Sequence, residues 1–90
     1  MSHTVREKAK LLARVRRMKG QMEAVERALE AEAECGEVMQ LLASIRGALA
    51  GLTGEVIEGH LHEHIVHAQS ETERNQAADE LMSVLRTYVR

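Results

Sequence analysis

Residues 35–65 read CGEVMQLLASIRGALAGLTGEVIEGHLHEHI, and the organisation of the whole chain follows from this stretch. Cys35, Val38, Leu42, Ile45, Leu49, Leu52 and Val56 step by three or four residues, the spacing of one apolar helix face. That periodicity predicts a helix from about Cys35 to Ile65. Gly47, Gly51 and Gly54 share one face of it. Each costs a helix interior about 1 kcal/mol relative to alanine. The segment therefore either breaks into two shorter helices or uses its glycine face to let another helix approach closely. The continuous helix is the expected arrangement.

Towards the N-terminus, Leu11, Val15, Met18, Met22, Val25 and Leu29 alternate steps of four and three, the a/d pattern of a coiled-coil seam. They predict a helix from about Val5 to Leu29, with the acidic stretch Glu30 to Gly36 as the turn. Towards the C-terminus, His67 to Ser70 forms a short connector. Ser70-Glu71-Thr72-Glu73 then fits a capping box, in which the serine caps the backbone and Glu73 reaches back. Ala78, Leu81, Met82, Leu85, Tyr88 and Val89 follow at helical spacing. No strand pattern or internal repeat competes, and proline is absent. The expected fold is all-α, a three-helix protomer in a single domain spanning residues 1–90.

A chain of 90 residues buries only about 60–65% of its unfolded surface. With no Trp, no Phe and one Tyr, it also lacks large aromatic core residues. Such scaffolds depend on disulfides, a metal or a partner subunit. The one cysteine, Cys35, excludes an internal disulfide and suits a reducing compartment. There is no apolar run long enough to span a bilayer and no N-terminal signal region. The expectation is a cytoplasmic, self-associating protein without a membrane partner. The net charge of −2 conceals an asymmetry. Residues 1–19 carry seven Lys or Arg against one acid, and residues 20–37 carry six acids against one base. Within the basic block, Arg6, Lys10, Arg14 and Arg17 fall within about 80° of one another on a helix. That stripe either tracks the phosphates of double-stranded DNA or is a solvated face.

His60 and His64 stand four residues apart, so a helix places their side chains about 6 Å apart on one face. The spacing suits chelation of a transition metal, with solvated surface histidines as the plain alternative. Glu63 and His67 fall on or near that face, and His62 points roughly 200° away from His60. Cys35 is a natural third ligand, but along one helix it lies about 37 Å from His60. Antiparallel pairing of two copies, crossing near residue 48, would bring Cys35 of one to residues 60–64 of the other. The glycine face, with Ala43, Ala48 and Ala50 close by, is centred there. Alternatively, Cys35 is a small apolar seam residue. His3 lies near the N-terminus on what reads as a flexible arm. If Met1 is removed, the Ser2 amine and His3 could chelate together; otherwise His3 is solvated.

Met1-Ser2-His3-Thr4, the stretch from Ala13-Arg14 through Gly20-Gln21, Glu34-Cys35, Ile45-Arg46-Gly47-Ala48, Glu55-Val56-Ile57, Gly59-His60-Leu61 and Glu63-His64-Ile65-Val66-His67 together resemble the CsoR/RcnR family of bacterial metal-sensing repressors, in its nickel/cobalt-sensing branch. The resemblance covers essentially the whole chain. It implies three-helix protomers in antiparallel dimers that pair into disc-shaped tetramers without a helix-turn-helix. It also implies metal ligands at His3, Cys35, His60 and His64, with the Ser2 amine and Glu63 as further candidates. DNA contacts are implied around Arg14 and Arg17 and at Arg46. Copper(I) sensors of the family carry a second cysteine where this chain has His64. Imidazoles suit Ni(II), Co(II), Zn(II) and Cu(II) rather than Cu(I). A formaldehyde-sensing branch carries a proline after Met1, where this chain has Ser2.

The expected function is a repressor that holds operator DNA in its apo form and is released by Ni(II) or Co(II), derepressing an efflux gene. A formaldehyde-responsive repressor and a cytosolic metal-trafficking protein without DNA binding are the alternatives. No nucleophile–base pair supports an enzyme.

Overall fold

The structure is a computed structural model that describes residues 3–89. Among these residues every regular element is helical: α1 (His3–Arg6), α2 (Lys8–Glu30), α3 (Cys35–His60), a π-helical turn (Leu61–Val66) and α4 (Glu71–Tyr88). They form two compact units. One is Glu7–Thr53, and the other joins the residues up to Arg6 with those from Gly54 onward.

In the Glu7–Thr53 unit, α2 and the first two-thirds of α3 form an antiparallel hairpin. Gln21 Nε2 donates to Ser44 Oγ at 3.0 Å, and the Arg14 guanidinium lies over Gly51, where an added Cβ would stand 3.1 Å from Nη1. The a/d seam is divided between two faces. Leu11, Met18 and Val25 turn inward, whereas Val15, Met22 and Leu29, on the alternating seam positions, are exposed. On α3, Val38, Ile45 and Leu52 turn inward while Cys35, Leu42 and Leu49 are exposed. Each helix thus spends one heptad row on the hairpin and leaves the other uncovered. α3 runs unbroken through Gly47, Gly51 and Gly54. Apart from the adjoining residues and the backbone of α3 itself, nothing lies within 4 Å of a Cβ built at Gly47 or Gly54.

The acidic stretch is the turn, as its composition predicts. α2 closes with a Schellman motif: Ala33 N donates to Ala28 O at 2.9 Å and Glu32 N to Leu29 O at 3.1 Å. The left-handed residue this motif requires is Glu32, at φ 57, where glycine is usual.

In the other unit, α4 packs on the π turn and buries Ala77. The Ser70 hydroxyl accepts from Glu73 N at 3.1 Å, and the Glu73 carboxylate reaches back to Gln69 N at 2.8 Å, one residue before the cap.

Two helix boundaries differ from those read off the periodicity. The helix expected from Val5 is interrupted at Glu7, whose φ of −100 and ψ of 17 are not helical. The reason is tertiary: His3 and Arg6 on α1 are committed to contacts with residues 59–64, which override local propensity. The helix expected to reach Ile65 is α-helical only to His60 and widens into the π turn, closed by His67 N to His62 O at 3.0 Å. Apolar spacing does not reveal a single inserted residue.

Glu32→Gly should stabilise the hairpin. A left-handed non-glycine residue costs about 1–2 kcal/mol, and the greater unfolded-state freedom of glycine returns about 0.4–1 kcal/mol of that. A rise of a few tenths to about 1 kcal/mol in urea unfolding is expected; a fall would show that the Glu32 side chain contributes more than its backbone costs.

Candidate metal centre

Three histidines converge. One ring nitrogen from each of His3, His60 and His64 lies within 4.8 Å of the others. His3 and His64 have ring centroids 5.6 Å apart, and His60 and His64 5.3 Å. α1 supplies the first, the last residue of α3 the second and the π turn the third.

His3 is buried, at 6% exposure, in a short helix rather than a flexible arm. Its seat is Gly59: a Cβ built there would collide with His3 Nδ1 and stand 3.0 Å from Cε1 and Cγ. The ring lies where any other residue at 59 would place its side chain. His3 Nδ1 has no hydrogen-bond partner despite its burial.

The other two rings have one nitrogen each directed at an oxygen. His60 Nε2 lies 2.9 Å from the Ala77 carbonyl, to which it donates, and 4.0 Å from Glu80 Oε2. This makes Nε2 the donor and leaves Nδ1 outside that bond. His64 Nδ1 lies 3.7 Å from Glu73 Oε1, leaving Nε2 for a ligand. Oxygen partners that orient imidazoles in this way are characteristic of metal-ligating histidines. Burial, an unpartnered nitrogen and oriented neighbours together fit a transition-metal ion.

Glu63 and Arg6 are placed together. Arg6 Nη1 and Nη2 donate to Glu63 Oε1 and Oε2 at 2.7 and 2.9 Å, a bidentate pair. The hydrogen bonds from Arg6 hold the Glu63 carboxyl below the ordinary carboxylate range. The charges of Arg6, His64 and His3 add to that lowering, and desolvation opposes it. Both carboxylate oxygens thus face a guanidinium, and Arg6, which a continuous helix would place on the basic stripe, stands instead on α1.

Cys35 is exposed, on the first residue of α3, and is not part of the histidine group. Ser2 lies outside the described residues. Lys10, Arg17 and Arg46 are exposed and Arg14 half-buried; the first two and Arg14 stand on α2, Arg46 on α3. Sequence reasoning missed Gly59 as the seat of His3 and Glu73 as the neighbour of His64. Glu73 was visible only as a cap, since its second oxygen acts on a residue nine positions away.

An all-α chain with a basic helix and a buried histidine group has the makings of a ligand-responsive regulator, and comparison with known proteins specifies which. A family described as metal-sensitive transcriptional repressor matches residues 7–87, and the chain belongs to it. The transcriptional repressor RcnR of Salmonella typhimurium is 47% identical over 90 residues, covering all of both chains. An uncharacterised protein of the bioA 5' region in Serratia marcescens is 53% identical over 91 residues, again covering all of both. Among solved structures, a variant of the formaldehyde-responsive regulator FrmR from Salmonella enterica serovar Typhimurium matches with a TM-score of 0.86. It is 40% identical, over 96% of this chain and 98% of that one. The chain is a metal-sensitive transcriptional repressor, a family of regulators rather than enzymes, whose function implies DNA binding and self-association.

Gly59→Ala should unseat His3. Helix propensity favours alanine by about 1 kcal/mol, so stability alone would rise, as it should in Gly20→Ala, where a Cβ meets nothing within 4 Å. In Gly59→Ala the His3 ring must move, so affinity for a divalent transition-metal ion should fall, by no more than it falls in His3→Ala. Unchanged affinity, measured by competition with a chelator, would show that the seat does not govern the ligand.

Proposed function

We propose that this repressor holds operator DNA in its apo form and releases it when Ni(II) or Co(II) binds at His3, His60 and His64, derepressing a metal efflux gene. The observation that carries the reading is the buried His3, with its unpartnered nitrogen, beside two imidazoles oriented by Ala77 and Glu73. An imidazole-rich set suits Ni(II) and Co(II), and Zn(II) or Cu(II) on the same chemistry. Cys35 completes the set as the thiolate of a second copy, antiparallel about the glycine face, and the Ser2 amine is a further donor. When bound, the ion ties the three histidines into one cross-linked group.

A homo-oligomer, a dimer of dimers, follows from the uncovered heptad rows. Val15, Met22, Leu29, Leu42 and Leu49 are 44–62% exposed, and a second copy offering the same rows is their natural cover. DNA phosphates meet Lys10, Arg14 and Arg17 on α2, with Arg46 and Arg6 at the margins. No helix of the described residues is long and apolar enough to cross a membrane, and the unpaired Cys35 suits the reducing cytoplasm.

The likeness to FrmR favours one competing effector, formaldehyde, acting on the Cys35 thiol. Anisotropy of labelled promoter DNA, titrated with Ni(II), Co(II), Zn(II), Cu(I) and formaldehyde, separates the readings. Release by Ni(II) or Co(II) at the lowest free concentration is expected. Release by formaldehyde alone, or no promoter binding at all, would overturn the proposal.

His3 gives the mechanism its handle. α1 holds His3 in the site, and α2 begins two residues after Arg6, at Lys8. Restraint of α1 by a bound ion changes which arrangements of the Glu7 joint remain accessible, and hence where the α2 basic residues sit. A ligand shifts an equilibrium only by its differential affinity for the two states, typically by about 1–3 kcal/mol, or roughly 5–150-fold. His3→Ala should keep much of the metal affinity but lose most of that factor, whereas Cys35→Ala should damage both. If His3→Ala releases DNA as fully as the parent, the signal travels through α3 instead.

Arg14→Ala and Arg17→Ala should each weaken operator binding and reduce the slope of log affinity against log salt by about 1, with metal affinity nearly unchanged. An unaltered slope would move the DNA surface away from α2.

A further inference from the structure

The π turn sets a second pair of imidazoles side by side. His62 and His67 are five residues apart, a spacing that an α-helix would spread by about 140°. In the π turn the backbone bond from His67 N to His62 O closes that five-residue step. The two rings therefore meet edge to face with centroids 4.5 Å apart and planes at 78°. Both residues are exposed, and no other role has been found for either. They line one surface hollow with His64, Glu73 and the Arg6–Glu63 pair. Arg6 is partnered there by Glu63, and the Glu73 carboxylate adds negative charge to the hollow.

The spacing matches a chelate. An imidazole nitrogen about 2.1 Å from an ion places its ring centroid about 3.2 Å away, so two rings bound at a right angle have centroids about 4.5 Å apart, and at the tetrahedral angle about 5.2 Å. The 4.5 Å between the His62 and His67 rings is short enough for both to reach one ion, and imidazole donors suit divalent ions such as Ni(II) and Cu(II).

We propose that His62 and His67 form a second, solvent-facing site for a divalent transition-metal ion, distinct from the buried centre and weaker than it. Two protein nitrogens hold the ion, and water fills its remaining positions. The inference goes beyond the repressor reading and does not depend on Cys35 or on DNA.

Equilibrium dialysis of the full-length protein against Ni(II), under reducing conditions, tests it. The parent should take up two equivalents per chain, the second more weakly. His62→Ala and His67→Ala should each lose the weaker equivalent and keep the tighter one. The triple variant His3→Ala, His60→Ala, His64→Ala should keep only the weaker one, and adding His62→Ala should abolish it. A nickel–thiolate absorption band, if the tighter site uses Cys35, should survive in His62→Ala. A single equivalent in the parent, a second equivalent that persists in His62→Ala, or loss of both together would each overturn the proposal. The count decides whether or not the thiolate band is seen.

Discussion

The contact between the His3 imidazole and the bare Cα of Gly59 sets the conditions for everything around it. A ring can occupy that position only because residue 59 has no side chain. With the ring there, α1 belongs with the residues from Gly54 onward, and the helix is interrupted at Glu7. Arg6 is then carried to Glu63, and the bidentate pair fastens the other end of the four-residue helix. So short a helix has no stability of its own, since nucleation is unfavourable; tertiary contacts hold it. The arrangement also buries a nitrogen without a protein partner. An unsatisfied buried polar atom costs about 1–3 kcal/mol, a cost that a cation bound at that nitrogen would remove.

The π turn is the second constraint. In a uniform α-helix His60 and His64 would share a face, and His62 and His67 would not share theirs. Widening the backbone by one residue keeps the first pair within 5.3 Å and creates the second at 4.5 Å. A π segment loses regular bonding, and α4 compensates: Arg74 Nε donates to the Ile65 carbonyl at 3.1 Å. Glu73, three residues after the Ser70 cap of α4, completes the support by facing His64. Insertions of this kind often occur at functional sites, because they change the phase of side chains without ending the helix.

Much of this was legible in the residues, and the limits have physical causes. The helices, the acidic turn and the Ser70 cap follow from local rules, and local rules suffice where each contact lies within four residues. The His60–His64 pair was legible for the same reason. Burial of His3, the Glu7 joint and the Arg6–Glu63 pair were not, since each depends on a contact more than fifty residues away in sequence. The heptads named the apolar seam positions correctly but not their division into an inward row and an uncovered one. Only the hairpin register, fixed by Gln21 against Ser44, decides that division. The uncovered rows are the structural counterpart of a chain too small and too poor in aromatics to bury its own apolar surface.

The same economy bears on regulation. A protomer in which only Val25, Ile45 and Ala77 are buried hydrophobic residues among those described has little rigid core to transmit a signal, so coupling must pass through discrete joints. Glu7 is the natural one, lying between the histidine-bearing helix and the basic helix and making no side-chain capping bond of its own. Coupling of this kind is reciprocal: whatever factor metal takes from DNA affinity, DNA takes from metal affinity. A protein bound to its operator therefore senses metal at a higher threshold than one free in solution. On the proposed site and DNA surface, the threshold would reflect both the affinity of the three histidines and the free energy with which DNA holds α2 in its own arrangement. Tuning the response then needs no change in ligand identity: substitutions at the Arg6–Glu63 pair or the Glu7 joint would move the threshold while every histidine stays.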